Sequence, residues 1–200
     1  MKFVEIATGI LQLPARARSI ARSHAYVLRE RGRPPLVVEP SNLGDGQDLA
    51  QWVEWFQEQE NEGAIVVCTH EHIDHVHGFA ELQQSTGCEV WAPPFRVSPH
   101  TPLRQYRVTR ELHEGDTLGD WHVLDMRGHA LEHVAFQRGS VVIGGDAAIP
   151  GDGHPHEYLA SLKKLIALDP DVFLPAHGFP IVMRSLAPWI QVRAILEARG

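Results

Sequence analysis

The stretch VVCTHEHIDHVHGF, residues 66–79, places His70, His72, His75 and His77 close together, with Glu71 and Asp74 between them, directly after an apolar run. Imidazoles packed this tightly repel one another when protonated. A metal ion removes the conflict, because it takes neutral imidazole nitrogens and carboxylate oxygens as ligands and fixes their direction. Side chains two apart in extended chain face the same way, so His70, His72 and Asp74 line one side. His75 points away unless the chain turns. A helix beginning near residue 75 supplies that turn and brings His75 back from another direction, which makes two ligand sets rather than one.

Three further apolar runs end in the same kind of residue. VLDMRG is followed by His129, VVIGG by Asp146 and VFLPA by His177, as AIVVCT is by His70. In α/β folds the carboxyl ends of strands share an edge of the sheet, and ligands bind there. Residues distant in sequence therefore converge. Such a set, with one carboxylate to spare as a bridge, suits two metal ions roughly 3.5–4 Å apart. Each residue also has a plainer reading. Asp74 could cap a helix, His177 before Gly178 could belong to a turn, and His129 could be a buried imidazole. Jointly those readings require several independent coincidences. His133 is expected to support the site rather than bind metal, and Glu71 to point away from it. His24, His100, His113 and His122 follow no ligand pattern.

The elements that must position these residues can be traced in the sequence. SHAYVLRE (23–30) and PPLVVEP (34–40) predict neighbouring strands joined by a turn at RGRP. In QDLAQWVEWFQEQENEG, Leu49, Trp52, Val53 and Phe56 follow helical spacing, which predicts an amphipathic helix ending at Gly63 with the tryptophans in a core stripe. AIVVCT (64–69) reads as a buried strand, His77 to Gln84 as a helix stopped at Gly87, and CEVWA (88–92) as a strand. Residues 93–105 carry four prolines and predict an irregular segment. Strands follow near 106–112, 121–127, 133–138 and 141–144, then a helix over 156–169, a strand over 172–176 and a closing helix over 186–199. Helices interleaved with strands, plus a meander, predict an α/β class with mixed sheets.

Composition bounds the rest. Two hundred residues suit a single domain over 1–200. Two cysteines, Cys68 and Cys88, read as small core residues rather than a disulfide. No apolar leader or membrane span is visible, so the expected location is the cytoplasm. A net charge of -7 disfavours general nucleic-acid binding. Arg16, Arg18, Arg22, Arg29, Arg31 and Arg33 crowd the N-terminal segment, and solvated surface charge is the preferred explanation.

With the motifs laid out, the chain resembles the metallo-β-lactamase superfamily. THEHIDHVHG is similar to its H-x-H-x-D-H signature, RGHALEHVAF to its Gly-His motif, GGDAA to its Gly-Asp motif and LPAHGFP to its last histidine motif, in the same order from about residue 23 to residue 182. The resemblance implies an αββα sandwich of two mixed β-sheets flanked by helices. It implies one metal on His70, His72 and His129, a second on Asp74, His75 and His177, and Asp146 as the bridge. The expected cofactor is two Zn²⁺ ions, with Fe or Mn as alternatives. The implied activity is hydrolysis of a small ester, thioester or lactone by a hydroxide held between two metals, with Asp74 a candidate proton carrier. The alternatives are a metal-dependent nuclease and a mono-iron sulfur dioxygenase. No Ser lies in a G-x-S-x-G context, which disfavours a serine hydrolase. Two features depart from the family pattern. Glu39, Pro40 and Ser41 stand where an Asp-Thr-Gly-like turn is usual, and Glu39 is expected to act behind the ligands. The chain after His177 is too short for the C-terminal helical domain of hydroxyacylglutathione hydrolases.

Overall fold

The computed structural model describes residues 1–14, 23–40, 46–59, 63–94, 96, 104–151, 153–178 and 181–182. They fall into two compact units, Met1–Leu112 and His113–Gly200.

The first unit is built on a seven-stranded mixed sheet whose spatial order follows the chain. It begins with a hairpin, β1 (Val4–Ala7) and β2 (Ile10–Leu13), turning at Gly9. β3 (Ala25–Leu28) and β4 (Leu36–Val38) continue antiparallel. β5 (Ile65–Val67), β6 (Glu89–Ala92) and β7 (Arg110–Glu111) then run parallel to β4. Parallel neighbours need crossovers, and helices supply two of them. α1 (Gly46–Gln57) joins β4 to β5, while α2 (Ile73–Val76) and α3 (Phe79–Thr86) lie between β5 and β6. α1 buries Trp52, Trp55 and Phe56 in one cluster with Val37, Val66, Phe79, Leu82 and Val90. The tryptophans are core residues, as their spacing predicts. The predicted helix over 77–84 is displaced: the chain enters α2 four residues earlier. Gly78, at φ 88, breaks it from α3, and Gly87, at φ 69, caps α3 where predicted.

The second unit carries a six-stranded mixed sheet in the order β13-β12-β11-β10-β9-β8. β8 (Thr117–Leu118), β9 (Trp121–Asp125), β10 (Val134–Arg138) and β11 (Val141–Gly145) form an antiparallel meander. α4 (Pro155–Leu168) then leads to β12 (Val172–Pro175), parallel to β11, and β13 (Ile181–Val182) pairs antiparallel with β12. Leu165 of α4 packs with Leu124, Met126, Ala135, Val142 and Phe173. The predicted closing helix over 186–199, and most of the irregular segment 93–105, lie outside the described residues.

This topology determines which strand ends share an edge. β4, β5 and β6 are parallel, so Glu39 and His70 follow strands that end on one edge of the first sheet. β9, β11 and β12 point the same way, so His129, Asp146 and His177 follow strands that end on one edge of the second.

Candidate metal centre

The first unit gathers His70, His72, Asp74 and His75. The His70 ring centroid lies 4.6 Å from that of His72 and 4.0 Å from that of His75. All three rings are buried. The turn that returns His75 is α2, whose N-cap is His72. Asp74 is therefore not a capping residue; it sits inside the first turn, with Oδ2 3.5 Å from His75 Nε2. His77 ends α2 on the exposed surface.

Glu39 lies behind this group. It is 1% exposed and adopts φ 52, a left-handed conformation unusual for a side chain of its size. Its Oε1 accepts from the Thr69 amide at 3.2 Å and from the Thr69 hydroxyl. Its Oε2 lies 3.1 Å from His75 Nδ1. Thr69 Oγ1 in turn lies 3.1 Å from His70 Nδ1. One carboxylate thus orients two imidazoles through their Nδ1 atoms, which directs the Nε2 atoms elsewhere. Glu39 thus acts behind the ligands, as expected, from a left-handed backbone conformation.

The second unit gathers His129, Asp146 and His177. Asp146 Oδ2 lies 3.4 Å from His129 Nε2 and 3.5 Å from His177 Nε2. His129 Nδ1 is 2.8 Å from the Ile149 carbonyl. That contact requires a proton on Nδ1 and leaves Nε2 as the basic nitrogen. The loop after Asp146 wraps closely around His129. A side chain at Gly151 would place Cβ 2.0 Å from the His129 carbonyl oxygen, and the Gly153 amide donates to that same oxygen at 3.3 Å. His133 Nε2 accepts from the Asp146 amide at 3.3 Å. It supports the Asp146 backbone, as its position beyond His129 suggests.

These donor sets fit a metal. His70, His75 and His129 turn Nδ1 to a hydroxyl, a carboxylate and a carbonyl in turn, which is how proteins present Nε2 to an ion. In the loop and helix after Asp146, Tyr158 is half-buried and donates to the Ala148 carbonyl at 3.0 Å, while His154 and His156 are exposed. His24, which matched no ligand pattern, is buried, with its ring centroid 6.4 Å from that of Tyr26. Arg29, Arg31 and Arg33 are exposed, as surface charge should be, and Arg16, Arg18 and Arg22 lie outside the described residues. Cys68 and Cys88 are buried free thiols.

Sequence reasoning missed Arg104 and Tyr106. Glu71 points away from the imidazoles, as expected, and its buried carboxylate is bound by both. The separation of 33 residues hid the pairing.

Comparison with solved structures identifies the fold. The DIM-1 metallo-beta-lactamase superposes with a TM-score of 0.73 over 100% of this chain and 98% of that one, at 16% identity. TTHA1623, solved in a di-iron-bound form, gives 0.64 over 85% of this chain and 94% of that one, at 27% identity. The two mixed sheets and their helices are those of the metallo-β-lactamase fold. The model of the metallo-beta-lactamase superfamily matches residues 21–177, and the chain belongs to that superfamily. A hydroxyacylglutathione hydrolase of Idiomarina loihiensis is 33% identical over 140 residues, 65% of this chain and 50% of the relative. One of Nitrosomonas eutropha is 28% identical over 159 residues, 73% of this chain and 57% of the relative. The chain spans about half the length of these curated relatives.

Proposed function

We propose that this chain, acting as one domain over residues 1–200, is a metal-dependent hydrolase of a small thioester, with esters and lactones as chemically related substrates. In this reading His70, His72 and His129 hold one ion, Asp74, His75 and His177 hold a second, and Asp146 bridges them. The observation that carries it is the Asp146 carboxylate, which faces two imidazoles at 3.4 and 3.5 Å, as a ligand shared by two ions must. The names of the relatives supply the substrate class, since a hydroxyacyl group carried on the sulfur of glutathione is a thioester. The di-iron form of TTHA1623 supports two ions and makes iron an alternative to zinc.

When bound, such a pair of ions supplies Lewis acidity at the carbonyl and an activated nucleophile near neutral pH. The chain's own residues do the rest. Glu39 and Thr69 hold His70 and His75 in one orientation, and the Ile149 carbonyl does the same for His129. Fixed donors pay no reorganisation cost during the reaction. The Asp74 side chain is 21% exposed and that of Asp146 only 6%, so Asp74 is the carboxylate that would take the proton given up by the attacking water and pass it to the leaving group. No described helix is long and apolar enough to cross a membrane, and two buried free thiols suit the reducing cytoplasm, the location we assign.

The test is a panel of thioester, lactone, phosphodiester and β-lactam substrates, run with the native protein, after chelation and after metal return. Thioester turnover that vanishes with chelation and recovers with metal is the expected result. Thioesterase activity indifferent to chelation, or turnover confined to phosphodiesters, would overturn the reading.

A further inference from the structure

Glu71 occupies the position between two proposed ligands, His70 and His72, and its side chain leaves the opposite face of the chain, as alternation in an extended segment requires. There it is 6% exposed. A carboxylate so buried is costly unless bound by partners of matched geometry. Arg104 provides them as a fork: Nε donates to Oε1 at 2.9 Å and Nη2 to Oε2 at 2.7 Å. The Tyr106 hydroxyl also donates to Oε1.

The partners are themselves anchored. The Tyr106 ring packs on Phe79 of α3, with centroids 5.3 Å apart. Gln83 of α3 binds the next residue twice, donating to the Arg107 carbonyl at 3.0 Å and accepting from its amide at 2.8 Å. Arg104 Nη2 reaches the Pro93 carbonyl after β6 at 3.4 Å. The carboxylate of Glu71 is therefore gripped from a platform formed by α3 and the segment entering β7.

We infer that the Glu71–Arg104–Tyr106 clamp is a positioning device for metal binding: it fixes the backbone rotation at residue 71 so that His70 and His72 present their imidazoles to one point. The inference rests on the proposed metal centre. Ion pairs in planar, two-point contact fix direction more than they add stability. An apolar pair of similar volume would hold the loop's core equally well but would supply no directional two-point contact at residue 71. None of the three side chains needs to touch metal or substrate.

The test is a Co²⁺ titration of metal-free protein, followed by the visible absorption of the bound ion, beside the thermal midpoint of the same metal-free protein. Wild type is titrated first, because failure to bind Co²⁺ there would defeat the metal-centre reading itself. Glu71→Gln is then expected to lose roughly ten- to hundredfold in Co²⁺ affinity and to change the absorption bands. The decisive variant is the double replacement Glu71→Met with Arg104→Met. It should melt at or above the wild-type midpoint and still bind Co²⁺ roughly tenfold or more weakly. Wild-type affinity in the stable double variant, or in Glu71→Gln, would show that the clamp contributes only stability. Should either variant fail to fold, Arg104→Lys carries the same test, since it keeps the charge and loses the fork. Unchanged affinity and spectrum in that variant would overturn the inference.

Discussion

Replacing Glu39 tests whether one buried carboxylate organises the first histidine group. Glu39→Ala removes an acceptor that is 1% exposed, bonds to the Thr69 amide and hydroxyl, and lies 3.1 Å from His75 Nδ1. Each buried donor deprived of its acceptor costs about 1–3 kcal/mol. The relieved desolvation of the carboxylate offsets part of this, so the net loss should be about 3 kcal/mol. The backbone supplies an internal control. At φ 52 alanine keeps the left-handed penalty that glycine escapes. Glu39→Gly should therefore be about 1 kcal/mol less damaging than Glu39→Ala, although glycine normally destabilises. Urea unfolding of the metal-free protein, followed by fluorescence from Trp52 and Trp55 in the same unit, measures both. With a slope of about 1–3 kcal/mol per molar urea, the alanine midpoint should fall by about 1–3 M. An alanine midpoint within about 0.3 M of wild type, or a glycine variant less stable than alanine, would refute the reasoning.

Three other outcomes follow. A Cβ at Gly128, φ +124, would sit 2.1 Å from the Tyr158 Cα, whereas one at Gly139, φ +57, meets nothing within 4 Å. Gly128→Ala should then cost about 3 kcal/mol or more and Gly139→Ala about 1–2 kcal/mol, with equal urea shifts contradicting the packing. Burial pushes the Cys68 thiol well above its ordinary 9.0 and raises Cys88 from the same value, and it raises the Tyr26 and Tyr106 hydroxyls above 10.0. The unfolded chain releases these protons first, so their contribution is complete below pH 9 and is lost as pH rises beyond it. The urea midpoint should hold up to about pH 9 and then fall towards about pH 10.5, at about 1.4 kcal/mol per unit for each group in transit, and a flat midpoint would contradict the burial. Neutralising Arg16, Arg18 and Arg22 together should leave thioester turnover intact, with no tight, salt-sensitive RNA binding in the parent; RNA cleavage that disappears in the variant would favour a nuclease.

What could be read from the sequence was local or periodic. The runs before Glu39, His70, Asp146 and His177 are continuous apolar segments, so their strands and the residues after them were evident. α1 and α4 announced themselves by spacing. The hairpin of β1 and β2 was not foreseen, because four-residue strands with half-exposed faces give little signal. The two-residue strands β8 and β13 are shorter than any pattern can show. The site divided in the same way. The histidines and Asp146 stood out by type and position. Glu39 was flagged, but its φ of 52 is set by packing and by bonds to Thr69 and His75. The Arg104 fork on Glu71 joins residues 33 apart, and no local rule selects that arginine among its neighbours.

The central claim is that His70, His72, Asp74, His75, His129, Asp146 and His177 hold two metal ions. Crystals of natively purified protein, with diffraction recorded on either side of the zinc and iron absorption edges, test it most directly. The account predicts two anomalous peaks per chain, one on each side of the Asp146 carboxylate. A crystal at saturating metal with no peak among these side chains, or a single peak that Asp146 does not touch, would contradict it.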